Sequence, residues 1–138
     1  MSTPTPRDVI NAFLNEVRSA KHPERAGRYM ADEVAAHQVQ SEAPTVVMRT
    51  PADYANHVRE MWAANGPFTL TIEDMICEGE RVYVRWRQQG WSNAPDQPRR
   101  ALIEVASAVY HVQAGRIVRY HIQIDRKGLE LQMTSGAD

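Results

Sequence analysis

Apolar residues first recur at Val9, Ile10, Phe13, Leu14 and Val17, the three- and four-residue spacing of one helical face. Pro6 suits a first turn and Asp8 the positive end of the helix dipole, so a helix is expected from about Thr5. A short second helix is expected from Pro23 to Met30. A third is expected from Pro51 to Ala64, opened by Thr50 as cap, with Asp53 in its first turn. Between the last two, AAHQVQ reads as a short strand. After Gly66-Pro67 the period changes to two: Phe68, Leu70 and Ile72 alternate with polar residues, and Gly79-Glu80 turns the chain into Arg81 to Gln89. Two more long strands follow from Ala101, meet around Ala114-Gly115 and end on Asp125. Helices followed by a four-stranded antiparallel meander predict one α+β domain over residues 1–138, its curved sheet wrapping a long helix.

Composition narrows the chemistry without naming it. The 138 residues, 43% apolar and 24% charged, fit a soluble globular domain able to bury a real core. No apolar run approaches the ~18 residues of a membrane span, and MSTPTPRD lacks a signal pattern, so a cytoplasmic location is expected and no membrane partner. A net charge of -1, with basic residues scattered, gives no footprint for nucleic acid. Cys77, the single cysteine, reads as a small hydrophobe. The histidines, at 22, 37, 57, 111 and 121, form no i, i+4 pair and have no cysteine companion, so no metal is expected. No serine sits in a nucleophile elbow and no glycine-rich loop follows a strand, so neither serine hydrolysis nor a nucleotide cofactor is implied. No cofactor is expected at all.

Three stretches carry a family resemblance. EDMICEGERVYVRWRQQGW is similar to the paired strands of SnoaL-like polyketide cyclases, VYHVQAGRIVRYHIQIDRKGLELQ to their last hairpin, and MADEVAAH, ending on His37, to the segment after their second helix. The resemblance spans nearly the whole chain. It implies the cone-shaped fold of the nuclear transport factor 2-like superfamily, with N-terminal helices packed on a curved antiparallel or mixed sheet. It also implies a hydrophobic pocket for a small hydrophobic or polyketide-like ligand, and a homodimer through the outer sheet face. The stretch GWSNAPDQPRR departs from the family pattern, which implies a different pocket rim. A ketosteroid isomerase reading is disfavoured, because its tyrosine and aspartates align with Phe13, His37-Gln38 and Ser107.

The activity implied is an intramolecular aldol closure of the lyase or isomerase type. A carboxylate in an apolar pocket would remove a proton from a methylene between two carbonyls. Asp125 falls at the family's acid/base aspartate, and His111 on the preceding strand is the candidate to orient or protonate the developing oxyanion. With Ala114-Gly115 as a two-residue turn, Glu104 opposes Asp125, Ala108 opposes His121, and His111 opposes Val118. The face of Val105, Ser107, Val109, His111, Val118, Tyr120, Ile122 and Ile124 is then expected to be concave. Asp125 falls on the opposite face with Glu104, His121 and Gln123, and can meet His111 only through a bulge. Otherwise Asp125 starts a turn or helix. His37, Arg85, Tyr120, His121, Trp62, Trp86 and Phe13 complete the expected substrate-binding set, although Arg85 would also pair across strands with Asp74. Two other readings stand beside the cyclase. One is hydration, isomerisation or epoxide opening, the last with Asp74, Arg85 and Asp125; the other is a non-catalytic binding or dimerising module.

Overall fold

The computed structural model describes residues 4–93 and 96–134. Helix α1 (Pro6–Phe13) starts where the Thr5 hydroxyl accepts from the Asp8 amide at 3.1 Å. It continues as a wider π turn over Leu14–Arg18, which carries the apolar stripe through Leu14 and Val17 and buries Arg18 with it. A 3-10 turn (Pro23–Arg25) runs into the short α2 (Ala26–Tyr29). The phenol of Tyr29 and the guanidinium of Arg25 both bond the Glu16 carboxylate and tie this corner to α1. Helix α3 (Pro51–Asn65) begins in a reciprocal capping box between Thr50 and Asp53. Among the described residues no helix is long and apolar enough to cross a membrane.

The strands are β1 (Met30–Gln38), β2 (Thr45–Arg49), β3 (Thr69–Glu78), β4 (Arg81–Ser92), β5 (Arg100–Gln113) and β6 (Arg116–Ile124). They form one sheet in the order β2-β1-β6-β5-β4-β3. The expected meander β3 to β6 is present, and β1 joins it by pairing parallel to β6. Strand β2 is an addition that the sequence pattern did not announce, since Val46, Val47 and Met48 are all exposed and show no alternation. Helices α1 and α3 fill the concave side, where Phe13, Tyr54 and Val58 pack against Val84, Trp86 and Tyr110. Removing Phe13 to alanine from such a core would cost about 3–5 kcal/mol, a large part of any domain's stability.

The β5–β6 hairpin corrects the expected faces. Its turn is Ala114-Gly115, both with positive φ (50° and 77°), and the pairs nearest it, Gln113 with Arg116 and Val112 with Ile117, are as expected. Val118 then bulges, so His111 opposes Arg119, Val109 opposes His121 and Ala106 opposes Ile124. Tyr120, Ile122 and Ile124 keep the inward face. Strand β5 is inverted: Ala106, Ala108, Tyr110 and Val112 point to the helices, while Val105, Ser107, Val109 and His111 point out. Hydrophobicity misleads here because the inward positions under the helices are small alanines and the outward ones larger valines.

Beyond Ile124 the chain turns into α4 (Arg126–Thr134). The Asp125 amide donates to Val105 O at 2.9 Å, and its carboxylate accepts from the Gly128 amide at 3.0 Å, which makes it the cap of this helix. Strand β5 overhangs β6 here, leaving a bare edge. The Gln132 amide covers it, accepting from Ile103 N and donating to Ile103 O, both at 2.8 Å, in place of a neighbouring strand. Gln132→Ala should therefore lower the unfolding free energy by about 1–2 kcal/mol and the melting temperature by a few degrees. Hydrogen exchange should show the α4 amides losing protection while those of β4 keep theirs.

Candidate functional site

Alternation along the strands decides which side chains reach the interior of the cone. Strand β4 sends in Val82, Val84, Trp86 and Gln88, and β5 sends in Glu104 ahead of Ala106, Ala108 and Tyr110. Arg49 on β2 pairs with buried Val34 and shares its concave face. From above, α1 and its π turn contribute Phe13 and Arg18, and α3 contributes Tyr54 and His57.

Arg18 organises this interior. Its Nη1 donates to Gln88 Oε1 at 2.7 Å, its Nη2 meets Glu104 Oε2 at 3.1 Å, and its guanidinium lies 5.7 Å from the Trp86 ring centre. Gln88 and Glu104 are direct cross-strand partners, so one register places both groups under the arginine. The Arg18 and Glu104 side chains are only 5% and 14% exposed. An ion pair this dry gains little over an apolar replacement, whereas removing one partner alone costs about 3–5 kcal/mol. Stability therefore does not by itself explain its presence.

Aromatic rings line the rest. Phe13 lies 5.2 Å from Tyr54 and 5.9 Å from Tyr110, and Tyr110 lies 5.3 Å from Tyr120. Burial pushes the phenols of Tyr54, Tyr110 and Tyr120 above their ordinary range, although the Arg49 guanidinium beside Tyr120 opposes this there. All three remain O–H donors at neutral pH. His57 is held below its usual range by burial and then by Arg49 and Arg18, so it stays neutral. Two further donors, Trp86 Nε1 and Arg49 Nε, are buried without an acceptor.

Of the residues expected from sequence, Phe13, Trp86 and Tyr120 come together in this interior. The others do not. His111 is on the outer face, its Nε2 3.2 Å from Glu80 Oε1. Asp125, also on the outer side, lies six positions beyond the partner of His111, about 20 Å at the rise of a strand. The bulge that forms is near the turn rather than at the aspartate, and it leaves the two apart. His37 and His121 stack on the outer face at 4.1 Å and line an open cleft of about 460 Å³. Arg85 faces Asp74 across β3 as expected, and shares a shallow outer cleft of about 400 Å³ with Asp125 and Lys127. Trp62 is 42% exposed on α3 and packs edgewise on Phe68. Trp91, at the rim, is covered by the Arg99 guanidinium at 4.5 Å.

Arg18, Gln88, Glu104, Arg49 and His57 escaped sequence reasoning, yet two left a trace. Arg18 continues the stripe of Leu14 and Gln88 the alternation Val82, Val84, Trp86, so each is a polar residue where the pattern demands an apolar one.

The profile of the family described as SnoaL-like polyketide cyclase matches residues 8–133. The chain belongs to this family. No curated protein sequence matches it. The fold is similar to that of a candidate polyketide cyclase from Acidithiobacillus ferrooxidans, at 20% identity and TM-score 0.82 over 99% of this chain and 100% of that one. It is also similar to IdmH, a candidate cyclase from Streptomyces antibioticus (20% identity, TM-score 0.78, 94% and 99% covered). A Catenulispora acidiphila protein of ketosteroid isomerase-like fold, in complex with trimethylamine, is more distant (11% identity, TM-score 0.69, 93% and 91% covered). At these identities the likeness establishes the SnoaL-like, nuclear transport factor 2-like fold.

In this SnoaL-like chain His57 and His121 both bind protons more weakly folded than unfolded, chiefly through burial. Near and below the ordinary value of 6.5 the unfolded chain takes up protons first, so stability is lost as pH falls through that value. The melting temperature should fall between about pH 8 and about pH 5, and His57→Gln should reduce the fall. Melting curves across that range check this.

Proposed function

We propose that this chain is a cofactor-independent enzyme performing acid/base chemistry on a carbonyl compound inside the cone, with intramolecular aldol closure of a polyketide-like substrate as the reaction. The observation that supports this is the Arg18–Glu104–Gln88 cluster on an otherwise apolar and phenolic wall. Glu104 is the one carboxylate that the described strands send inward.

In this reading Glu104 removes a proton from a methylene between two carbonyls, and the C–H electron pair moves into an enolate. The enolate carbon then attacks a second carbonyl of the same molecule. A carbon–carbon bond forms, and the resulting alkoxide takes a proton back from Glu104. Tyr54 O–H and the unpartnered Trp86 N–H are the donors for the developing oxyanion. Arg18 is a positioning residue that fixes the carboxylate. The aldol donor needs neither metal nor covalent nucleophile, because its proton is already acidic. Glu104→Gln should lower turnover of a linear poly-β-ketone by about 100-fold or more, whereas Asp125→Asn, at a helix cap, should stay near wild type. Unchanged turnover in Glu104→Gln would reject the assignment.

As its partner we propose a second copy of the chain on the outer sheet face. The register lines up Val46, His37, His121, Val109, Tyr83 and Ile76 in one outward row across all the strands. It is flanked on one side by Arg119, His111, Arg81 and Glu78 and on the other by Gln123, Ser107, Arg85 and Asp74. A weakly charged centre with a charged rim is the anatomy of an interface. The sheet is about 24 Å wide, and three such rows from two copies offer on the order of 1,000 Å², the lower end for a stable dimer. Sedimentation should give a dimer at micromolar concentration and a monomer for Tyr83→Glu; a monomeric wild type sinks the proposal.

A further inference from the structure

The charges inside the cone do not balance. Among the described residues that reach the concave interior, Arg18 and Arg49 are cations and Glu104 is the only carboxylate, already engaged by Arg18. Arg18, Arg49, Glu104 and Tyr120 all act electrostatically on Tyr54, and Tyr54 packs in the same core as Tyr120. The phenols and His57 add no charge at neutral pH. One positive charge is left over, and it belongs to Arg49.

The placement of Arg49 supports the same conclusion. It forms no ion pair with any described residue, and its Nε is buried without an acceptor. It stands half-buried beside the Tyr120 phenol at the seam where α3 crosses β2, with His57 as neighbour. A guanidinium that has lost part of its hydration, and whose side-chain partner is the neutral phenol of Tyr120 rather than a carboxylate, is suited to a planar, two-oxygen anion, which accepts two parallel N–H bonds. A single excess charge matches a monoanion; a dianion would leave the interior as unbalanced as before, with the opposite sign.

We infer that the ligand of the interior carries a carboxylate, which pairs with Arg49 and the Tyr120 hydroxyl while the reacting carbonyl end faces Glu104. This rests on the interior being the ligand site and adds the substrate class: a keto acid rather than a neutral ketone or ester. Arg49 then has a role of its own, because anchoring the carboxylate end determines which methylene reaches Glu104.

The test uses benzoate and its uncharged counterpart benzamide as probes, followed through the indole N–H signal of Trp86 in 15N-labelled protein and assigned by its absence in Trp86→Phe. Benzoate should shift this signal saturably and bind about tenfold or more tighter than benzamide. Arg49→Met should abolish the preference, Arg49→Lys should keep part of it, and Arg81→Met on the outer face should change nothing. Equal affinity for the two probes in the wild type, or a preference that survives Arg49→Met, overturns the carboxylate inference and leaves the interior as a ligand site. If neither probe moves the Trp86 signal, both the inference and the interior site fall together. The wild-type comparison needs no variant to fold.

Discussion

A single surplus residue in β6 governs how this cone is furnished. Because Val118 bulges, β6 shifts one step beyond it, so that Tyr120, Ile122 and Ile124 share the inward face with Tyr110, Ala108 and Ala106 rather than with the valines of β5. Unbroken alternation along β5 carries that face on to Glu104, opposite Gln88 and under Arg18, and leaves His111 outward beside Glu80. Alanines rather than valines therefore lie beneath the helices, leaving room for the rings of Phe13, Tyr54 and Tyr110. The polar interior and the outward row both follow from this pairing.

Within that frame the π turn at Leu14–Arg18 supplies the partner. Residue 18 lies four positions beyond Leu14, on the same apolar face, and the turn buries it together with Leu14 and Val17. Two elements far apart in sequence thus bring a cation and an anion together where water is scarce. Neither is useful alone. An inward Glu104 without Arg18 would be a buried unpaired charge, and the reverse holds as well.

Much of the fold could be read from residues. The stripe of α1, the Thr50-Pro51-Asp53 opening of α3, the Gly79-Glu80 turn and the Ala114-Gly115 turn all sit where their spacing placed them, because each depends on neighbours only a few positions away. Strand β2 left no such mark, since its apolar side chains face water on one edge and gain their order from β1. The site was far less legible. Phe13, Trp86 and Tyr120 lie inward because large rings on an inward pattern have nowhere else to go. Asp125 came from the resemblance and lies on the outer side to which the count from the turn assigned it, whereas His111, counted inward, lies outward, because a bulge is a cooperative choice of the packed sheet that no count from one end reveals. Arg18 and Gln88 left local clues, polar residues on apolar periods, and what they pair with emerges only in the packed sheet.

The parallel pairing of β1 with β6 has a consequence for how the molecule comes into being. Met30 finds its neighbour Ile117 only near the end of the chain, and β2, whose partner is β1, hangs from that same seam. On a ribosome β1 can pair early with β2, but its other edge waits until β6 has emerged. The meander closes between strands consecutive in sequence, so this seam is the distant contact of the sheet, the kind that slows folding and favours a late closure.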